Sequence, residues 1–269
     1  MLAGYGVAVV MIALPRLDRA GIPAVIAAHA ALPLLAWLST RASEGAIGRL
    51  LRAAYPLILL AALYSSIDII NGFGAVTTLD GPLLRLEGGL FGMQPSRDWW
   101  RNSPSTFWST VFHAAYFSYY LLVPLPVVVM LLTGRNRMIE GYLAAVIGTF
   151  LVCYLCYALA PVSGPYYQFP RPTGEFVANA PARLVYAVLA RGSAFGAAFP
   201  SSHVAATVAA TLAALLLIPR LGMLMVVPTA LLTVGVVYCQ MHYVVDSVAG
   251  VAIGLAVPFA LRRMLRVTG

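Results

Sequence analysis

Apolar residues are grouped in long runs along this chain, separated by short polar segments or by segments rich in glycine and proline. A helix rises about 1.5 Å per residue, so about 20 apolar residues cross a hydrocarbon core of about 30 Å. Runs of spanning length lie at residues 22–39, 51–70, 107–132, 138–160, 200–218, 222–240 and 243–262. The pattern predicts an all-α fold, a polytopic membrane helical bundle with six core spans and one or two further N-terminal spans.

The composition agrees with this interpretation. Hydrophobic residues make up 61% of the 269 residues and charged residues only 10%, against roughly 25% charged residues in soluble domains. All 17 basic residues are arginine and they are scattered among the apolar runs. Because nucleic-acid binding needs a basic stripe or patch, we expect no nucleic-acid partner. We expect an integral protein of a bacterial inner (plasma) membrane.

The arginines between the runs predict the orientation, because cytoplasmic loops are enriched in basic residues. One face would carry Arg41, Arg49, Arg52, Arg135, Arg137, Arg220, Arg262, Arg263 and Arg266. If residues 1–15 form an eighth span, both ends of the chain are cytoplasmic; with seven spans the N-terminus is outside. We favour both ends inside, which places residues 71–106 and 161–199 on the extracytoplasmic side.

These two outer segments differ in character. Residues 71–106 contain Asp98-Trp99-Trp100-Arg101, an amphipathic pattern suited to the membrane interface. Residues 161–199 carry five prolines and suggest a structureless loop, which is unusual unless it serves a site. Farther along the chain, Gly250 and Gly254 form a G-x-x-x-G that predicts close packing of the last span against a neighbour.

Two of the four histidines are spaced to meet at one end of a helical hairpin. His203 and His242 are 39 residues apart, and crossing the membrane twice takes about 40 residues. Asp246 shares a helix face with His242 and can fix the tautomer of its imidazole. Ionisable side chains at membrane depth are costly and usually functional, so we expect a catalytic site.

Two other interpretations of this group are a hydrogen-bonded link between helices and a zinc site. Asp246 is better placed to orient His242 than to ligate a metal. Cys153 and Cys156 lie inside an apolar run, so we expect packed thiols there rather than a metal or redox pair. We therefore expect no metal and no cofactor.

The motifs Phe199-Pro200-Ser201-Ser202-His203 and His242-Tyr243-Val244-Val245-Asp246 resemble the type 2 phosphatidic acid phosphatase superfamily. Three other segments are similar to its branch of inositol phosphorylceramide and sphingomyelin synthases: residues 90–95, 113–116 and 160–165. The resemblance covers residues 50–262 and implies a metal-independent mechanism through a phosphohistidine.

The resemblance also implies the roles of individual residues. His242 would attack phosphorus, Asp246 would orient it, and His203 would exchange the proton with the leaving and incoming alcohols. Backbone N–H groups and hydroxyls of Ser201 and Ser202, at a helix start, would hold phosphate oxygens. Arg171 is a further phosphate-binding candidate.

The chain departs from the phosphatase pattern at two positions. The pattern has a lysine seven residues before Arg171 and an arginine six residues before His242; this chain has Gly164 and Val236 there. A phosphate monoester carries nearly two charges at pH 7 and a diester only one. Fewer cations therefore favour a phosphodiester donor, although Arg183 or Arg191 could substitute.

A second group of residues could line the pocket: His113, Tyr116, Tyr166, Asp68 and Arg191. An aromatic belt at the membrane interface is an equally good interpretation of His113 and Tyr116. Asp68 could contact a polar headgroup or pair with an arginine of the outer segments.

These observations predict an N-terminal hairpin or anchor over residues 1–50 and a catalytic membrane domain over residues 51–269. The expected activity is transfer of a phosphoryl-containing headgroup from a phospholipid to a lipid or polyol acceptor, in the bilayer. The first alternative is hydrolysis of a lipid phosphate such as phosphatidate or a polyprenyl (pyro)phosphate. A proton-coupled transporter or lipid-binding protein is the alternative from another class.

Overall fold

The computed structural model describes residues 1–41 and 45–266. Within these ranges, the side chains of residues 36, 39, 40, 46, 47, 49–54, 56, 57, 191, 264 and 266 lie outside the described part. Helices account for 78% of the chain, and the described ranges contain no strand beyond a single bridge between Val162 and Ala197. The all-α class is confirmed.

The helices are numbered in chain order. They are α1 Leu2–Ala13, α2 Ile22–Ala30, α3 Leu32–Thr40, α4 Ala46–Ile70, α5 Asp80–Phe91, α6 Pro95–Asn102, α7 Thr106–Leu122, α8 Leu125–Leu132, α9 Asn136–Leu159, α10 Pro165–Gln168, α11 Ala180–Gly192, α12 Ser202–Leu217, α13 Pro219–Tyr238, α14 Val244–Ala260 and α15 Arg262–Arg266. Short 3-10 turns lie at Leu14–Arg16, Gly72–Gly74 and Gly174–Val177.

Among the described residues, two helices are long and apolar enough to cross a membrane, namely α9 and α13. The pair α7 and α8 would be a third span, bent by 43°. The bend follows the prolines Pro124 and Pro126, which lack the N–H that a continuous helix needs. Further apolar helices, including α12 and α14, are shorter than this limit.

Two predicted elements differ from the structure. The run at 22–39 is divided at Ala31 into α2 and α3, because Pro33 in the first turn of α3 cannot continue a preceding helix. Residues 161–199 are not a structureless loop: they contain α10, a 3-10 turn and the 13-residue helix α11. Asn179 caps α11 by accepting a hydrogen bond from the Ala182 N–H at 2.9 Å.

Helix α9 lies at the centre of the bundle, and all of its residues 141–151 are buried. A helix that is hydrophobic on every side must be surrounded by other helices. Accordingly α9 packs against α4, α12, α14 and α1. Around this centre, α12, α13 and α14 pack on one another, and α7 packs on α12 and α13. This packing sets the positions of both histidine motifs.

The predicted glycine contact is confirmed between α14 and α12. A Cβ atom on Gly250 would lie 2.7 Å from the Ser201 carbonyl oxygen, and one on Gly254 would lie 2.5 Å from the Ala205 carbonyl oxygen. Both are closer than real Cβ contacts allow, so a side chain at either position would force the two backbones apart.

Gly254→Ala should therefore lower the stability of the bundle, by about 1–3 kcal/mol as in other overpacked interiors. Thermal unfolding of the purified protein in detergent measures the change. Gly89→Ala is the matched control, because Gly89 is also helical but a Cβ there meets no atom within 4 Å. An unfolding temperature for Gly254→Ala equal to that of the control would contradict the close contact.

Candidate active site

His203 lies in the first turn of α12, which begins where Ser201 supplies the cap. The Ser201 hydroxyl accepts a hydrogen bond from the Val204 N–H at 3.4 Å, the usual role of serine at this position. The hydroxyl of Tyr157, on α9, donates to the Pro200 carbonyl oxygen at 2.8 Å and accepts from the Ser202 N–H at 3.0 Å. The start of α12 is thereby fixed to the central helix.

His242 lies in the turn between α13 and α14. Its backbone N–H donates to the Val236 carbonyl oxygen at 3.0 Å, and Gln240 takes a positive φ of 59° so that the chain can reverse. Asp246 follows in the first turn of α14, where one carboxylate oxygen accepts the Tyr243 N–H at 2.8 Å. The same oxygen lies 3.4 Å from Nδ1 of His242.

The structure thus brings together the three residues predicted to carry the chemistry. The ring centres of His203 and His242 are 6.1 Å apart. His242 is 6% exposed and Asp246 is fully buried. Burial lowers the pKa of His242 to about 4, so the ring is neutral at pH 7 and keeps a lone pair. Nδ1 faces the Asp246 carboxylate at 3.4 Å without a hydrogen bond between them, and the ring also interacts with the Ala198 backbone. If Asp246 holds the proton on Nδ1, Nε2 is the nitrogen with a lone pair for nucleophilic attack.

His203 is held between two tyrosines of α7. The Tyr116 hydroxyl lies 3.2 Å from Nε2 of His203, and the two rings stack at 4.7 Å. Tyr119 packs against the other part of the ring, with centres 4.6 Å apart. Tyr116, predicted as a pocket residue, therefore has a direct contact with a catalytic candidate.

A small polar chamber of about 40 Å³ joins the two histidines. This volume accommodates only a few water molecules, so it can hold a phosphate group but not the body of a lipid. No arginine is among the described residues that line this chamber. These residues are Tyr64, Tyr116, Ser163, Tyr166, Tyr167, Leu189, Ser193, Ala194, Ala197, Ala198, His203, Met241 and His242.

A larger, mainly apolar cavity of about 470 Å³ adjoins the polar chamber and lies among α4, α7, α9 and α11. Its lining comprises Leu60, Ala61, Tyr64, Ser65, Tyr119, Tyr120, Val123, Pro124, Phe150, Tyr154, Val188, Leu189, Gly192, Ser202 and His203. The volume is within the range of pockets that bind small organic ligands. We call it the apolar cavity.

The residues predicted to bind phosphate differ in how accessible they are to a ligand in the polar chamber. The N–H groups of Ser201 and Ser202 donate to the Asp246 carbonyl oxygen and to Tyr157, so neither is free for a phosphate. Arg171 is exposed, and its guanidinium lies 4.2 Å from the ring centre of Tyr166, which lines the polar chamber. Arg171 thus lies beside the polar chamber, behind Tyr166, and is not one of its lining residues.

Two other candidates, His113 and Asp68, are not among the described residues that line either space. His113 is buried beneath Phe176 and Tyr186, and its Nδ1 is 2.8 Å from the Ser109 carbonyl oxygen. Asp68 accepts the Phe195 N–H at 2.6 Å instead of contacting a cation. The side chain of Arg191 lies outside the described residues.

At the two positions where the phosphatase pattern has a basic residue, the surrounding structure leaves no room for a long side chain. Gly164 has φ 85°, and a Cβ there would lie 2.7 Å from the Cβ of Ala198; positive φ favours glycine. Val236 is fully buried in an apolar cluster with Tyr116 and Phe112. Neither position could carry a long basic side chain without rearrangement.

Sequence reasoning missed Asp80, which lies at the start of α5. Its buried carboxylate accepts four hydrogen bonds of 2.8–2.9 Å: two from Ser163, one from the Gly164 N–H and one from the Tyr243 hydroxyl. The Asp80 carboxylate therefore links Ser163, in the wall of the polar chamber, to Tyr243, the residue after His242. These partners are 83 to 163 positions away, and no local pattern indicates them.

Glu87, about two helical turns after Asp80 on α5, was missed for the same reason. It is fully buried and accepts the Val245 N–H at 3.0 Å, at the start of α14. Burial raises the pKa of this carboxyl group, and the helix N-terminus it faces favours a negative charge. Within the described residues, no three histidine, cysteine or acidic side chains are grouped as metal ligands would be.

A model of the PAP2 superfamily matches residues 83–260, about two-thirds of the chain, from the first turn of α5 to the end of α14. The chain belongs to the PAP2 superfamily. Neither a curated protein nor a solved structure matches it. For this PAP2 protein, membership supports a phosphatase-like lipid phosphoesterase in a membrane.

Asp80→Asn should destabilise the catalytic end of this PAP2 protein, because an amide nitrogen would face donors that need an acceptor. We expect a loss of about 1–3 kcal/mol of unfolding free energy and a lower kcat, both measurable in detergent. Asp18→Asn is the control, since Asp18 is exposed. Equal unfolding temperatures and equal kcat for the two variants would refute this role of Asp80.

Proposed function

We propose that this PAP2 protein transfers a phosphoryl-containing headgroup from a phospholipid to an alcohol acceptor. The observation that carries the proposal is the polar chamber, which contains both histidines but no fixed cation among its described lining. Without such a cation, a low-dielectric site tolerates the single charge of a phosphodiester better than the two charges of a monoester. Gly164 and Val236 support this, because both positions are closed to a basic side chain.

The reaction would take place in two steps. Nε2 of His242 attacks phosphorus, the bond to the diacylglycerol oxygen breaks, and His203 gives that oxygen a proton. The acceptor hydroxyl then loses its proton to His203 and attacks phosphorus, which releases His242. Asp246 holds the tautomer of His242 throughout and stabilises its positive charge.

Hydrolysis of a lipid phosphate is the second candidate. Arg171 favours it, because its guanidinium packs on Tyr166, a lining residue of the polar chamber, and is a cation that a monoester could recruit. In that case water replaces the acceptor alcohol in the second step.

For the membrane arrangement we propose an N-terminal hairpin or anchor over residues 1–50, followed by a catalytic membrane domain with six core spans over residues 51–269. Arg135 and Arg220 line one cavity at the opposite end of α12 from His203, which supports one common face for the loop arginines. That face would be cytoplasmic in a bacterial plasma membrane, and the polar chamber would open on the extracytoplasmic side.

Purified protein offered phosphatidate and a panel of intact phospholipids, with a chelator and without added metal, should release diacylglycerol from an intact phospholipid. The headgroup phosphate should appear on a second alcohol. Free phosphate from phosphatidate, with no reaction of intact phospholipids, would instead establish hydrolysis and refute the transferase.

His242→Ala is the control for the chemistry in this assay. It removes the nucleophile, so turnover should be abolished while lipid binding is retained. A variant that keeps wild-type turnover would refute a phosphohistidine, and lipid transport without any bond cleavage by the wild type would favour the transporter interpretation.

The orientation can be tested by labelling single cysteines in intact cells, in a background with Cys153, Cys156 and Cys239 replaced by alanine. Glu175→Cys, in the segment before α11, should react with an impermeant maleimide added outside. Arg137→Cys, at the start of α9, should react only after the membrane is permeabilised. Both side chains are exposed in the structure, so access depends on the side of the membrane. The reverse labelling pattern would overturn the orientation.

A further inference from the structure

The polar chamber and the apolar cavity meet at one catalytic candidate and not at the other. His203 lines both spaces, whereas His242 lines only the polar chamber. Tyr64 and Leu189 are the other residues common to the two linings. A molecule in the apolar cavity therefore has its end at the residue that exchanges protons with alcohol oxygens, away from the nucleophile.

The apolar cavity has the composition of a site for a hydrocarbon chain. Its walls include Leu60 of α4, Phe150 of α9 and Val188 of α11. Ala61, Tyr120 and Gly192 line the cavity and are exposed at the surface of the bundle, so a chain can enter from the side. The polar chamber, at about 40 Å³, is too small to hold such a chain itself.

We propose that the apolar cavity binds the hydrocarbon chain of a lipid alcohol, and that the leaving alcohol and the acceptor alcohol occupy it in turn. This proposal rests on the proposed transferase function. When the phosphorus–oxygen bond of the donor breaks, the proton of His203 goes to the alkoxide of diacylglycerol, whose chain lies in the cavity. By microscopic reversibility, the acceptor must give its proton to His203 from the same side.

The consequence is that two different lipid alcohols compete for one site. Because the nucleophile faces the polar chamber alone, the phosphoryl group stays on His242 while diacylglycerol leaves and the acceptor takes its place. The acceptor is then expected to be a hydrophobic alcohol rather than a water-soluble polyol, since the space beside His203 is apolar.

Gly192→Phe is the variant that tests the cavity. Gly192 ends α11 and lines the cavity, its φ is not in the left-handed region, and a Cβ there meets no atom within 4 Å. A phenyl group can therefore be added without a clash at its first atom. Gly4→Phe is the matched control, because a Cβ on Gly4 also meets nothing within 4 Å and Gly4 is not part of the lining.

Binding of radiolabelled dipalmitoylglycerol to the purified protein in detergent gives a readout that needs no turnover. We expect ceramide, a second lipid alcohol, to displace it competitively from the wild type. Gly192→Phe should weaken the binding at least about tenfold, which corresponds to excluding about two methylene groups. Gly4→Phe should bind as the wild type does.

Failure to bind dipalmitoylglycerol, unchanged binding by Gly192→Phe, or binding that ceramide does not displace would each overturn the shared cavity. If Gly192→Phe both weakens the binding and lowers the unfolding temperature, Ala61→Phe is the second variant. Ala61 lies on α4 and also lines the cavity, so it should give the same loss of binding. The proposed function is tested separately. If the wild type binds both alcohols competitively but transfers no headgroup, the shared cavity is supported and the transferase function is refuted.

Discussion

The buried carboxylate of Asp80 is the contact on which the catalytic end of the molecule depends. Removing a carboxylate from water is costly unless its oxygens are fully hydrogen-bonded, and here four donors satisfy it. Two of its partner residues, Ser163 and Gly164, belong to the segment after α9, and the third, Tyr243, directly follows His242. The requirement to satisfy one anion thus fixes the wall of the polar chamber relative to His242.

Helix α6 also stabilises the turn between α13 and α14 that carries His242. Nε1 of Trp100 and the guanidinium of Arg101, both on α6, each donate to the Gln240 side-chain oxygen at 3.0 Å. Gln240 in turn donates to the Pro170 carbonyl oxygen at 3.0 Å. The segment that the sequence marks as a membrane-interface helix is therefore also a brace for the turn that carries His242.

The helical class and the proximity of His203, His242 and Asp246 could be predicted from the sequence. Both follow from helix geometry, which sets the length of an apolar span and the spacing of residues on one helix face. The glycine contact of α14 was predictable for the same reason. The division of the run at 22–39 and the helix α11 were not, since local proline effects there compete with the apolar pattern.

The polar anchors were beyond sequence reasoning for a different reason. Asp80 and Glu87 find their partners across the fold, and an isolated acidic residue in an outer segment has no periodicity that indicates burial. Conversely, Ser201 and Ser202 fit a phosphate-binding helix start in the sequence, but in the fold their N–H groups are used to hold α12 to α14 and α9.

The glycines of α14 have a mechanical consequence. Because Gly250 and Gly254 bring the backbone of α14 against the backbone of α12 and the side chains of Val204 and Val208, any sliding of one helix on the other would meet close steric contact. Helices α12 and α14, which carry His203 and Asp246, must then move as one rigid unit. If a lipid enters the apolar cavity as proposed, the bundle would widen on the side where α4 and α11 border that cavity, and His203 and Asp246 would keep their relative geometry.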